Sequence, residues 1–297
     1  MSLTINYNGM AANAARNLSN SYSALATSTK RLSSGLRINS SADDAAGLAI
    51  RELMRADIAS INQGVRNAND AISMIQTADG ALQVVDEKLI RMKELAEQAA
   101  TGTYTSDQRL IIDSEYQAMA SEITRIANAT DFNGIYLLNG NLSGATHNGS
   151  GINSTGKLKV HFGSGNASAE DYYYVQIGTS TASALGVGIG AASTSKGRSI
   201  STQQQAQEAL DAIKTAIVSK DKIRANLGAL QNRLENTISN LQIQAENLQA
   251  AESQISDVDV ATEMTQFVRQ QILTQSAVAM LSQANSLPRM AMNLIQG

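Results

Sequence analysis

The sequence predicts a mainly α protein: a long, coiled-coil-like helical bundle from both chain ends, with a small β-hairpin region in the middle. Three observations carry this expectation. Leu227, Leu234, Leu241, Leu248 and Ile255 fall at seven-residue intervals, the spacing of an apolar seam in a coiled coil. The only proline of the 297 residues is Pro288. Proline inside a helix costs about 3 kcal/mol, so its absence elsewhere leaves room for very long helices. Twelve of the 21 glycines, and both histidines, lie between Gly140 and Gly197, which breaks the helical pattern in the middle of the chain.

From the N-terminus, Leu18, Leu25 and Leu32 recur every seven residues, with Tyr22 and Thr29 between them. A polar, turn-prone stretch follows, RLSSGLRINSSADDAAGLAI at 31–50. Ser40, Ser41 or Asp43 is expected to cap a helix beginning at Asp44-Ala45-Ala46, and acids in a first turn suit the helix dipole. Ile58, Ile61, Val65, Ala68, Ile72 and Ile75 then alternate spacings of three and four, and Leu82, Leu89 and Met92 extend the stripe. Thr101-Gly102-Thr103 interrupts it, and a shorter helix is expected from about Thr105 to Ala129. In the glycine-rich zone, Leu158–Phe162 and Tyr172–Ile177 read as short strands.

Leu230, Thr237, Gln244, Ala251 and Val258 occupy the companion positions of the C-terminal seam. Polar Thr237 and Gln244 point to a wider bundle rather than a two-stranded zipper. A helix of some 50 residues rises about 75 Å, so this is a rod. The two chain ends are also alike: no acidic residue occurs before Asp43 or after Glu263. Two thin, apolar, amide-rich helical ends bury too little surface alone, and a larger assembly would supply the missing partners.

Other classes are disfavoured. A net charge of −3, with no Lys/Arg cluster interleaved with aromatics, does not point to nucleic acid. Absence of cysteine removes disulfides, thiol nucleophiles and cysteine-ligated zinc. No apolar run approaches the ~20 residues of a membrane span, and MSLTINYNGM is not a cleavable secretory signal. The expectation is a soluble chain, cytoplasmic or exported by another route. Gly151-Ile152-Asn153-Ser154-Thr155-Gly156-Lys157 mimics a phosphate loop, but Leu158 stands where magnesium chemistry needs Ser or Thr. Gly186-Val187-Gly188-Ile189-Gly190 lacks a surrounding βαβ unit. His147 and His161 have no evident third ligand. Asp43-Asp44 has no acid/base partner, and Arg91, Lys93, Glu94 and Glu97 read as a solvated helix face.

The stretch at 31–50 closely resembles the signature of bacterial flagellins. So do NANDAISMIQTADGALQVVDEKLIRMKELAEQAATGT (67–103), DFNGIYLLNG (131–140) and the segment LGALQNRLENTISNLQIQAENLQAAESQISDVDVATEMTQFVRQQILTQSAVAMLSQANSLP (227–288). The resemblance covers roughly 1–140 and 200–297 in order. The ending PRMAMNLIQG follows the family only loosely, and the middle is far shorter than in long flagellins, so outer hypervariable domains are expected to be absent.

The resemblance implies a non-catalytic structural subunit, without cofactor or metal, that self-assembles into the extracellular flagellar filament and so serves motility. It implies inner-tube terminal helices at 1–44 and 256–297, a helical-bundle core at 45–140 and 200–255, and a short β-hairpin or variable region at 141–199. Asn39, Asp43 and Asp44 would then lie in the connector between layers, and the seam from Leu227 to Ile255 would serve assembly. Implied partners are other copies of the chain, an export chaperone, the filament cap and junction proteins, with export by the flagellar type III apparatus. A hook–filament junction protein, with similar terminal helices, is the alternative. A metallopeptidase insert, as in some relatives, has neither room nor motif here. Relatives sensed by the flagellin-specific Toll-like receptor present an arginine, a leucine and a glutamate. These positions fall on Arg91, Leu95 and Glu115, with Gln98 and Ile112 nearby.

Overall fold

The computed structural model describes residues 8–144, 156–168, 170–189 and 196–296. In chain order the elements are α1 (Gly9–Ser34), α2 (Ala45–Ala100), α3 (Ser106–Ala129), β1 (Asp131–Phe132), β2 (Ile135–Tyr136), β3 (Leu158–His161), β4 (Tyr172–Val175), α4 (Ala182–Leu185), α5 (Gln203–Ser256) and α6 (Val260–Gln296). They form two compact units, residues 1–58 with 246–297 and residues 59–245. The unit boundaries fall inside α2 and α5.

In the first unit, α1 begins at Asn8, whose side chain accepts the Ala11 amide. It ends at Gly35, where φ is +73° and the amide bonds back to the Arg31 carbonyl. A left-handed cap of this kind suits glycine, which has no Cβ to clash. Asn8 Nδ2 donates to the Ala284 carbonyl at 2.8 Å. Near the other end of α1, the Val258 amide donates to the Gly35 carbonyl at 3.0 Å. Ties at opposite ends make α1 and α6 an antiparallel pair.

The seam from Leu227 to Ile255 lies on the single helix α5. This helix stops at Ser256, and Val258 lies in the link to α6. Asp259 restarts the helix by accepting the Ala261 and Thr262 amides at 3.0 and 3.4 Å. A short acceptor at a helix entrance satisfies amides that lack intrahelical partners, and this signal at Asp259 outweighs the heptad count.

The larger unit holds two cores. One is built from Val85, Leu89, Met92 and Leu95 of α2, Tyr116 and Ile123 of α3, and Ala206, Ala209 and Ile213 of α5. The other joins Met74, Ile75 and Leu82 of α2 to Leu137, Leu138, Val160, Val175, Leu227 and Leu234. Aliphatic packing replaces bulky aromatics, as the composition implies. Thr105 and Gln108 cap α3 reciprocally, placing its start one residue after the expected Thr105.

The antiparallel β3–β4 hairpin pairs Leu158 with Val175 and His161 with Tyr172. Val160 and Val175 face inward, and Arg233 of α5 stacks over the Tyr173 ring at 3.5 Å. Gly64 is the closest approach: a Cβ there would lie 1.9 Å from the Phe162 carbonyl oxygen. Only glycine lets the hairpin sit against α2 at that point. The β1–β2 hairpin, with Asn133-Gly134 at its tip, is absent from the expectations above, although Asn-Gly between short apolar runs is a strong two-residue turn signal.

Candidate functional site

The connector is built from carboxylates used as caps. One Asp43 oxygen, Oδ2, accepts the Asn39 amide at 3.1 Å, the Ser40 amide at 2.9 Å and the Ser40 hydroxyl at 3.0 Å. The Asn39 amide, then the Ser40 donors, hold this carboxyl below its ordinary value. Asn39 Nδ2 in turn donates to Ser34 Oγ at 2.7 Å. Asp44, not Ser40, Ser41 or Asp43, caps α2: its Oδ1 accepts the Gly47 amide at 2.9 Å. The reason is reach, since Gly47 follows Asp44 by three residues, whereas Asp43 is turned back onto Asn39. Both acids are committed to backbone donors, an arrangement that fixes a turn.

The connector also pairs with the link between α5 and α6. Leu36 and Asp257 form an antiparallel bridge, with the Arg37 amide on the Ser256 carbonyl at 2.7 Å. The Arg37 guanidinium reaches the Ile255 carbonyl at 2.6 Å. Buried Arg51 donates to the Ile38 carbonyl at 2.8 Å and lies 2.7 Å from the Glu52 carboxylate. The contacts to Ile255 and Ile38 are not legible from spacing, because they are made to main-chain carbonyls 218 and 13 residues away.

The seam is graded. Leu227, Leu234 and Leu241 are buried within the larger unit, Leu234 to 1% exposure. Leu248 and Ile255, in the smaller unit, are only half-buried. Two ionic contacts, one on a buried lysine and one on a partly exposed arginine, accompany the larger unit's part of the seam. Lys220, 2% exposed at its side chain, lies 2.5 Å from Asp86 and 2.8 Å from Asp221. Arg224 grips both oxygens of Asp79.

On α2 and α3, the Arg91 guanidinium donates to Glu115 Oε1 at 3.0 and 2.8 Å and to Glu94 Oε2 at 2.9 Å. The hydrogen bonds that Glu115, then Glu94, accept from Arg91 raise its proton affinity further. Gln98 is exposed and donates to the Tyr104 hydroxyl at 3.1 Å. The structure thus brings Arg91 and Glu115 together on the surface but places Leu95, 1% exposed, and Ile112 in the core beneath it. Leu95 and Ile112 are corrected from surface contacts to core residues, since both fall on the helix faces that meet. Ile111, one turn before Glu115, is an accessible apolar side chain of α3, 70% exposed.

The most unusual surface lies on the helix pair of the smaller unit. Val260, Met264, Val268 and Ile272 recur every four residues along α6, and all are exposed. Leu273, Val278 and Met280 add further exposed apolar area, as do Met10 and Tyr22 on α1. A contiguous stripe of this kind marks an interaction surface. Among the described residues no group of three His, Cys, Asp or Glu side chains converges on a metal position, and none of the helices is long and apolar enough to cross a membrane. His161 stacks on Tyr172. His147, residues 151–155 of the phosphate-loop mimic and Gly190 lie outside the described residues. Lys157 leads into strand β3, where a phosphate loop would need a helix.

Comparison with known proteins accords with this picture. Residues 5–143 match the bacterial flagellin N-terminal helical region, and residues 210–295 the bacterial flagellin C-terminal helical region. A flagellin of Halalkalibacterium halodurans is 41% identical over 294 residues, covering 99% of this chain and 100% of that one. A flagellar filament 33 kDa core protein of Treponema phagedenis is 40% identical over 295 residues, again covering 99% and 100%. A solved structure assigned as a flagellar hook-associated protein of Vibrio parahaemolyticus aligns with a TM-score of 0.55 at 17% identity. It covers 72% of this chain and 100% of that one, and bears on the fold alone. With end-to-end identity at this level, this chain belongs to the bacterial flagellin family, a family of filament-forming structural proteins rather than enzymes.

Proposed function

We propose that the chain polymerises into the flagellar filament through α1 and α6, with the stripe Val260, Met264, Val268 and Ile272 as the surface that neighbouring subunits cover. The open stripe is the observation that carries this reading, in a chain whose full-length relatives are named flagellins and filament core proteins. Burying apolar surface at roughly 25 cal/mol per Å² offsets the ordering cost of the helices only when several neighbours contribute. The connector around Asn39, Asp43 and Asp44, pinned to the α5–α6 link, then fixes the turn that joins α1 to α2. The seam residues hold α5 in place for that role. The test is induced polymerisation of the full-length protein beside a form lacking about 1–40 and 260–297. The full chain is expected to give long filaments and the shortened form none. Filaments from the shortened form would overturn the reading.

Secretion through the flagellar type III apparatus, with a dedicated chaperone, a filament cap and junction proteins as partners, follows from family membership as part of the same proposal. The hook–filament junction reading is the weaker one, because the relatives of about 40% identity carry filament names. A second role rests on a specific observation. The exposed Arg91–Glu115 ion pair, with Ile111 beside it, offers a rigid charged and apolar patch. We propose it as the contact for a host Toll-like receptor in the free subunit.

A further inference from the structure

The chain has ten methionines, and their environments differ sharply. Met74 and Met92 are sealed in the cores of the larger unit. Met10 and Met280 are 51% and 61% exposed. These two line a single groove of about 600 Å³ between α1 and α6, with Asn13, Asn17, Leu273 and Ser276 among its walls and no charged side chain. A soft thioether suits such a surface, because it packs against irregular partners and carries no strongly hydrated group.

We propose that Met10 and Met280 form an oxidation-sensitive modification site that controls subunit addition, its reagents being two-electron oxidants such as hydrogen peroxide. The inference rests on the reading of α1 and α6 as the polymerisation surface. In the reaction a sulfur lone pair attacks one peroxide oxygen, an S–O bond forms, the O–O bond breaks, and the second oxygen leaves as water after proton transfer. Sulfur loses two electrons and peroxide gains them. The sulfoxide is polar and chiral where the thioether was apolar. Its oxygen takes up water that must be stripped before a neighbouring helix can seat, and stripping an imperfectly paired polar group opposes association. A subunit oxidised before assembly is therefore excluded, whereas an assembled subunit shields both sulfurs behind its neighbours. Reversal needs a methionine sulfoxide reductase.

The experiment uses the full-length protein. Monomer is treated with dilute hydrogen peroxide, oxygen uptake is mapped by peptide mass spectrometry, and polymerisation is followed by sedimentation. Met10 and Met280 should gain oxygen well before Met74 and Met92, and the critical concentration for polymerisation should rise at least tenfold. Met264, on the stripe itself, and Met290 are also exposed on α6, so every arm is run in a Met264→Leu, Met290→Leu background, in which adding Met10→Leu with Met280→Leu isolates the groove. Leucine nearly conserves volume, and the critical concentration of this variant should be the same before and after the treatment. Met10→Gln with Met280→Gln should polymerise poorly without any oxidant. Preformed filaments should keep both sulfurs unoxidised. The proposal is overturned by the oxidised background protein polymerising like untreated protein, by the leucine variant losing as much as that background, or by the glutamine variant assembling normally. Equal oxidation of both sulfurs in filament and monomer would overturn it as well. Failure of untreated protein to polymerise would overturn the filament reading itself, and that is read before oxidant is added.

Discussion

Arg224 Nε donates to Asp79 Oδ1 at 2.7 Å while its Nη2 reaches Oδ2 at 3.2 Å, a fork that joins α5 to α2 across 145 residues of sequence. The hydrogen bond from Arg224 holds the Asp79 carboxyl below its ordinary value of 3.8. A carboxyl with a depressed folded-state value stabilises above its unfolded value and loses that contribution as pH falls through the folded one. Both side chains are about one-third exposed, so the pair contributes about 1 kcal/mol after solvent screening. Arg224→Ala should lower stability by about that amount at pH 7 and by clearly less below pH 3. Thermal melts followed by circular dichroism at both pH values check this; an equal loss at both would refute the ionic account.

The seam should respond in proportion to burial. Leu234 is fully enclosed, so Leu234→Ala should cost about 2–5 kcal/mol through lost transfer energy and the cavity left behind. Leu248 is half-buried in the free subunit, and Leu248→Ala should cost about half as much or less, in line with the smaller area returned to water. Urea unfolding of the monomer gives both numbers. Equal costs would show that burial does not grade the seam.

Tyr116 is buried and its hydroxyl donates to the Gly197 carbonyl at 2.6 Å. Burial, assisted by the nearby Asp113 charge, pushes the phenol well up from its ordinary value. The folded state therefore keeps its proton where the unfolded chain loses it, at about pH 10. Stability from this source is complete below that pH and declines as pH rises above it. Tyr116→Phe should cost about 1 kcal/mol at pH 8 by removing one of the two donors to the Gly197 carbonyl, which keeps the Gly188 amide. Between pH 9 and 11 the urea midpoint of wild type should fall more than that of the variant, and parallel falls would refute the argument.

Arg91 and Glu115 are both exposed, so Arg91→Ala should leave the monomer's melting temperature nearly unchanged. If the patch contacts the receptor, the same substitution should weaken receptor activation at least tenfold, as arginine hot spots do on truncation. Activation of receptor-bearing cells by purified monomer checks this, with Ile111→Ala as a second probe. Unchanged activation by both variants would remove the patch from the receptor account.

Long helices, their order and the β interruption were all present in the amino-acid sequence. A seven-residue leucine repeat, a lone proline and a cluster of glycines constrain the chain through backbone geometry and local hydrophobic periodicity alone. The capping pair Thr105 and Gln108, and the acceptor Asp259, act within three residues and are legible for the same reason. The sequence also bounded the candidate site, since Arg91 and Glu115 do meet.

Tertiary structure alone decided which face of each helix is covered. Leu95 and Ile112 have the composition of surface anchors in the motif, yet the meeting of α2 with α3 buries them and leaves Ile111 outside. The partners of Arg37, Arg51, Lys220 and Arg224 likewise emerge only in the folded chain. Three of these cations reach groups 13, 134 and 145 residues away, and Arg37 reaches 218. Periodicity reports how a helix is patterned but not what lies opposite it. Burial and ion pairing are properties of pairs of surfaces, and the second surface exists only once the chain has folded.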